Sequence, residues 1–119
     1  MSRSMISKEK LMNAVAVDNT TVYSNSRRFH DCDGTACVLI VSTAGNITVT
    51  QQCSTDNSTW YDPETAAAAA GAVENAITVT TGRYLSYTPV LCDWIRFKVV
   101  EDGTASTNVS LTLAYRVQL

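Results

Sequence analysis

The one cluster of potential metal ligands in the 119-residue sequence is His30, Asp31, Cys32 and Asp33 with Cys37. An imidazole beside thiolates is donor chemistry suited to a transition metal. A four-coordinate shell needs a second close pair, and the other cysteines, Cys53 and Cys92, lie far apart along the chain. Asp31-Cys32-Asp33-Gly34 also lacks the alternating oxygen donors of a calcium loop. The stretch therefore reads as a polar turn flanked by thiols, and no metal ligand is assigned. The leading MSRSMISKEKLMN places charges where an export signal would carry its apolar core. Reduced, buried thiols are accordingly expected; were a bridge to form, Cys32–Cys37 could staple a hairpin.

Catalytic chemistry finds no constellation. His30 is the sole histidine, and neither a Gly-x-Ser-x-Gly elbow, a His-Glu-x-x-His pair nor a phosphate-cradling glycine loop is present. Asp62 and Glu64 flank Pro63, where carboxylates read as helix-start residues rather than as a general acid and base. No catalytic or cofactor-binding residue is assigned, no cofactor is implied, and a non-enzyme is expected. Trp60, Tyr61, Tyr84, Tyr87 and Trp94 could build an aromatic platform for a sugar. No paired polar residues accompany them as a ligand site requires, so packing is the simpler role.

The elements that would hold these residues are strands. In Gly45–Asp62 (GNITVTQQCSTDNSTWYD), Ile47, Val49, Gln51 and Cys53 alternate with Thr48, Thr50 and Gln52, the period of a strand with one face inward. Ser54–Ser58 supplies turn chemistry, and Thr59-Trp60-Tyr61 resumes a β-type run. The spacing thus predicts strand, turn, strand. Asp33-Gly34 predicts a hairpin turn before Ala36–Thr43 (ACVLIVST), whose near-continuous apolar run fits a strand covered on both faces. Asn75–Thr81, Arg83–Leu91, Trp94–Glu101 and Val109–Val117 alternate in the same way, with Ile95, Phe97 and Val99 inward against Arg96 and Lys98. Asp102-Gly103 marks the last turn.

Two segments break this rhythm. Asp62–Gly71 (DPETAAAAAG) has a cap, a proline and five alanines, a connecting loop with at most two helical turns. Met1–Asn19 is polar and irregular. Leu11, Ala14 and Val15 would share one side of a short helix, too short to stand alone. The expected organisation is an extended N-terminal arm over residues 1–19 and one domain over residues 20–119. That domain is expected to be all-β, an antiparallel sandwich of seven to eight strands, with a small barrel as the alternative.

Composition agrees with a folded β domain: 45% of residues are hydrophobic and 17% charged. No apolar run reaches the ~18–20 residues of a membrane span. The net charge of −2 is unevenly spread. Residues 1–30 hold five cations against two acids, and the remainder four cations against nine acids. A basic leader on an acidic body suits contact with an acidic protein surface and argues against direct nucleic-acid binding.

Three stretches, ITVTQQCSTDNSTWYDP, TPVLCDWIRFKVVEDGT and VSLTLAYR, resemble the small all-β virion proteins of tailed bacteriophages. In those proteins a TVTxQxSxDNxTWYDP hairpin precedes an Ala/Gly-rich loop and PxxxxWIRFKVxE. The likeness covers residues 20 to 119. It brings no catalytic or cofactor residues, and Cys32 and Cys37 match no family pattern. It implies a structural protein of the virion, assembled in the bacterial cytoplasm: a head decoration or cement protein, trimeric, partnered by the major capsid protein or other virion proteins. A neck, tail or fibre component, or a carbohydrate-binding sandwich module, are the alternatives. Removing Met1–Asn19 is expected to leave a folded domain that no longer binds capsids.

Overall fold

The computed structural model describes residues 4–18, 20–29, 32–62, 72–78, 82–101 and 106–118. His30, Asp31, Glu64, the alanine-rich segment of residues 63–71 and the Asp102-Gly103 turn lie outside the described residues. Nine strands are described: β1 (Ser4–Asp18), β2 (Thr21–Tyr23), β3 (Arg27–Arg28), β4 (Cys32–Ser42), β5 (Asn46–Ser54), β6 (Ala72–Thr78), β7 (Arg83–Tyr87), β8 (Trp94–Glu101) and β9 (Ser106–Gln118).

The strands form two sheets, ordered β1-β9-β4-β7 (sheet A) and β2-β8-β5-β6 (sheet B), with β3 continuing β2 along β8. Every pairing is antiparallel. Between β2 and β3 the line is kept by Ser24, whose N–H donates to Phe97 O at 2.9 Å and whose Oγ accepts from Phe97 N at 2.8 Å. Counted as one interrupted strand, β2 and β3 bring the total to eight, four per sheet. Apart from β5 and β6, which pair within sheet B, successive segments cross between the sheets, and the first strand pairs with the last, which is the double-sheet jelly-roll order. The expected all-β sandwich is thus observed, in jelly-roll form.

Alternation builds the core. Ile47 and Val49 of β5, Ile95, Phe97 and Val99 of β8, Val38 and Ile40 of β4, and Val109, Leu111 and Leu113 of β9 are all fully buried. Each such side chain contributes about 1.5–3 kcal/mol relative to exposure.

Four expectations are corrected. Residues 4–18 are not an arm outside the sandwich but its longest strand, paired with β9 from Ser4–Gln118 to Asp18–Ser106. The helix-like spacing of Leu11, Ala14 and Val15 comes from two one-residue bulges. Lys10 faces Thr112 and Met12 faces Leu111, leaving Leu11 extra; Val15 then faces Val109, leaving another residue extra. Each bulge moves the inward phase by one residue, so Leu11, Met12 and Val17 are all buried.

Asp33-Gly34, expected as a hairpin turn, is instead a bulge inside β4. The β4–β9 pairing steps from Cys32–Val117 to Ala36–Tyr115, and Gly34 takes φ 94°. A glycine in the left-handed region serves a bulge as well as a turn. The second arm of the central hairpin shrinks to one bridge, Cys53 with Tyr61, whose amides exchange bonds of 3.0 and 2.9 Å. The edge of β5 is taken instead by β6, as far as the pairing of Thr50 with Ala72. Finally, β4 is covered on one face alone: Ala36, Val38 and Ile40 are buried, whereas Val41 on the other side is 39% exposed.

Candidate functional site

The outer face of sheet B collects the residues of the resembling stretches. Gln52 of β5 faces Arg96 of β8, and the Arg96 Nε donates to Gln52 Oε1 at 2.8 Å. The guanidinium lies between two rings, 4.0 Å from the Tyr23 centroid and 4.5 Å from that of Trp60. Burial among them lowers its pKa from the ordinary arginine value, opposed by the Tyr23 ring's hydroxyl. Gln52 Nε2 donates to Asp62 Oδ1 at 2.8 Å, which ties down the far end of the loop.

The loop itself is wound around two side chains. Ser54 Oγ accepts from the N–H groups of Asp56 and Asn57 at 3.2 and 2.9 Å. Asp56 Oδ1 accepts from those of Ser58 and Thr59 at 2.9 and 2.8 Å. These bonds to Thr59 and Ser58, and one from Ser54, hold the Asp56 carboxyl below the usual carboxylate range. Asn57 takes φ 60°, a conformation asparagine tolerates. The STDNSTWYD motif is therefore a clamp: it folds Trp60 back over Arg96 and the strands beneath.

The outer face of sheet A is different in kind. Register places Ile6 beside Arg116, Cys37 between Ala114 and Ser86, and Leu39 between Thr112 and Tyr84. An open groove of about 520 Å³ runs across this face, lined by residues that include Ile6, Cys37, Ala114 and Arg116. Ile6 is 67% exposed and Tyr84 74%.

The five aromatics considered for a sugar platform are divided: Trp60 and Trp94 lie on the outer face of sheet B, whereas Tyr84 and Tyr87 belong to sheet A. Trp60 is stacked on Arg96, and Trp94 lies under the Arg28 guanidinium at 5.5 Å. Tyr84 is on the outside of sheet A, and Tyr87 points inward, its ring edge-on to Phe97 at 6.5 Å. Of the residues considered for a metal, the described thiols Cys32 and Cys37 are likewise separated. Cys32 packs on the core, whereas Cys37 lines the outer groove, so the two cannot staple a hairpin across the same face. Asp33 is spent otherwise: Oδ1 accepts from Thr35 N at 3.0 Å and Oδ2 pairs with Arg116 Nε at 2.8 Å. No metal-binding group of three or more ligands occurs among the described residues. Of the carboxylates flanking Pro63, Asp62 serves Gln52 and Glu64 lies outside the described residues.

At the seam between β1 and β3, Arg27 closes the sandwich edge. It pairs with Glu9 at 3.2 Å, donates to Ser7 Oγ and stands 5.1 Å above the Tyr115 ring. Thus Arg27 and Arg28, two cations of the leader, contact their own chain. At the β4–β5 end, Ser42 and Glu101 are buried, and neither Ser42 Oγ nor Glu101 Oε2 has a partner among the described residues.

Sequence reasoning passed over Gln51. It is fully buried among apolar neighbours, and it gathers Tyr87, Val90, Cys53 and Cys92 around one amide. The signal was its position: a glutamine at an inward point of an alternating strand must have buried partners.

No protein-family model matches the chain, and no curated protein matches its sequence. Solved structures do match its fold. A structure of infectious bursal disease virus, Gx strain, aligns with a TM-score of 0.61 at 13% identity over 97% of this chain, which spans 32% of the viral chain. The SPBc2 prophage-derived protein YomS aligns with a TM-score of 0.52 at 11% identity, covering 92% of this chain and 95% of that one. At identities this low, what this chain has in common with both is the fold: it is an all-β sandwich similar to one viral and one prophage-derived structure.

Proposed function

We propose that this chain is a non-enzymatic structural protein of a tailed-phage virion, a decoration or cement protein bound to the major capsid protein and to copies of itself, trimeric on the particle. The observation that carries the reading is the outer face of sheet A. The β4 run Cys37, Leu39 and Val41 forms an incompletely covered apolar strip there, with Ile6 and Tyr84 on neighbouring strands and Lys8, Lys10 and Arg116 beside it. An apolar strip rimmed by charged side chains on a rigid sandwich suits contact with another protein. At its side, β1 is an edge strand, a further place for contact between subunits.

Two further points support it. The residues that carry the phage resemblance, Gln52, Trp60, Asp62 and Arg96, are consumed in clamping a loop, which suits a protein built for stiffness. The jelly roll serves capsid proteins, but also lectins and cupins, so the support for a capsid role comes from the outer face of sheet A rather than from the fold. Stacking of Arg96 on Trp60 occupies the ring a sugar would use.

The test is to add the purified chain to phage heads lacking it and to locate it in a density map. Density at symmetric capsid positions, with Ile6, Val41 and Tyr84 buried in the contact, is expected. Tyr84→Asp should abolish binding while leaving the far-UV circular dichroism unchanged. Density confined to neck, tail or fibre would move the protein to those structures, and turnover of a substrate traced to its own residues would end the reading.

A further inference from the structure

The inter-sheet space is apolar over most of its length, but at one end it holds a polar cluster centred on Gln51. Gln51 Oε1 accepts from the Tyr87 hydroxyl at 2.9 Å, and its Nε2 donates to Val90 O at 2.7 Å. These bonds fix the amide's orientation. The same Nε2 stands 3.3 Å from Cys53 Sγ and 3.8 Å from Cys92 Sγ, so one nitrogen lies beside both sulfurs. The Cys92 S–H also donates to Trp94 O at 3.2 Å. The ladder explains the meeting: Cys53 of β5 faces Ile95 of β8, and Cys92 lies just ahead of that strand. Both side chains are half-buried, reachable by a small reagent at the end of the sandwich.

We propose that Cys53 and Cys92 form a dithiol site that exchanges with small-molecule disulfides and closes an intramolecular disulfide between β5 and the β7–β8 connection. Neither remaining thiol competes. Cys32 is engaged with its own bulge, accepting from Gly34 N at 3.4 Å, and Cys37 is on the far side of sheet A.

The two sulfurs have different roles. Cys53 is the nucleophile. Cys92 close by and the amide of Gln51 hold its pKa down to about 7, against the opposing effect of burial. Cys92 is the resolving thiol: the neighbouring Cys53 together with burial pushes its pKa up. In the first step the Cys53 thiolate attacks one sulfur of a small disulfide, forming a mixed disulfide and releasing one small thiolate. In the second, Cys92 loses its proton to that thiolate and attacks Cys53 Sγ, releasing the second small thiol. The protein dithiol gives up two electrons and two protons, and the small disulfide is reduced to two thiols.

The test uses the full chain and glutathione disulfide at pH 7, followed by unreduced peptide mapping by mass spectrometry. A linked pair of peptides holding Cys53 and Cys92 is expected, with Cys32 and Cys37 still open to alkylation. Cys92→Ser should stop at the first step and accumulate glutathione on Cys53, whereas Cys53→Ser should leave Cys92 unmodified. Alkylation of Cys53 by iodoacetamide should rise with a midpoint near pH 7. A Cys32–Cys37 link, disulfides between chains alone, or no disulfide at all would overturn the proposal. The wild-type map decides this even where a variant fails to fold.

Discussion

The backbone N–H of Ala14 donates to the hydroxyl of Ser110 at 2.9 Å, across the second break in the β1–β9 ladder. Ala14 holds φ at 51° to make this bond, a left-handed conformation that an L side chain adopts at a cost of roughly 1–2 kcal/mol. Glycine carries no such steric penalty but loses more entropy on folding, roughly 0.5–1 kcal/mol. Ala14→Gly should therefore stabilise the protein by up to about 1 kcal/mol, read as a higher urea midpoint with an unchanged slope. Ser110→Ala should cost about 0.5–1 kcal/mol by exchanging this exposed bond for one to water. A destabilised Ala14→Gly variant would show that the bulge does not hold this geometry in solution.

How much of this was legible in the sequence follows from where alternation survives. β8 and β9 keep strict period two, and their inward residues, Ile95 to Val99 and Val109 to Tyr115, are the ones found buried. β1 was illegible because its two bulges shift the inward phase at Leu11 and again beyond Met12, turning a strand pattern into a helical one. The outer face of β4 was misjudged because an apolar residue reads the same whether its own chain or another covers it. The thiol pair was missed because Cys53 and Cys92 are neighbours through the β5–β8 register, which pattern along the chain does not reveal. The charge asymmetry was real, but one of its cations, Arg27, pairs with Glu9 of the same leader.

Removal of β1 tests its role as part of the sandwich. Leu11, Met12 and Val17 are each no more than 3% exposed, and together their burial contributes about 5–9 kcal/mol. That is comparable to the whole stability of a domain of this size. A chain beginning after Asp18 should therefore lack a cooperative thermal transition and a near-UV circular dichroism spectrum. A truncated chain that melts cooperatively, as the arm expectation required, would show that β9 can close sheet A alone.

The stacking of Arg96 between Tyr23 and Trp60 depends on a flat cation, which lysine cannot supply. Arg96→Lys keeps the charge but loses the stack and the Nε bond to Gln52. It should cost about 1–2 kcal/mol and shift Trp60 emission to the red as the loop loosens. Trp60→Ala should cost a similar amount, and the double variant less than the sum, since both remove the same contact. Full additivity would mean that the two side chains do not interact.

Acid should release this loop before the core gives way. Asp56 accepts from Ser58, Thr59 and the Ser54 hydroxyl, and these bonds hold its pKa below the unfolded carboxylate value. A depressed folded pKa contributes stability that is fully present above the unfolded value, about 3.9. That contribution is lost as pH falls through the folded value. Below about pH 4 the Ser54–Thr59 turn should therefore loosen, and Trp60, whose ring it carries to Arg96, should report the change. With Trp94→Phe removing the other indole, Trp60 emission should show an acid transition while far-UV circular dichroism stays constant. Asp56→Asn keeps an oxygen acceptor but cannot titrate, so its emission should be flat over the same range. An unchanged acid transition in that variant would assign the titration to another carboxylate.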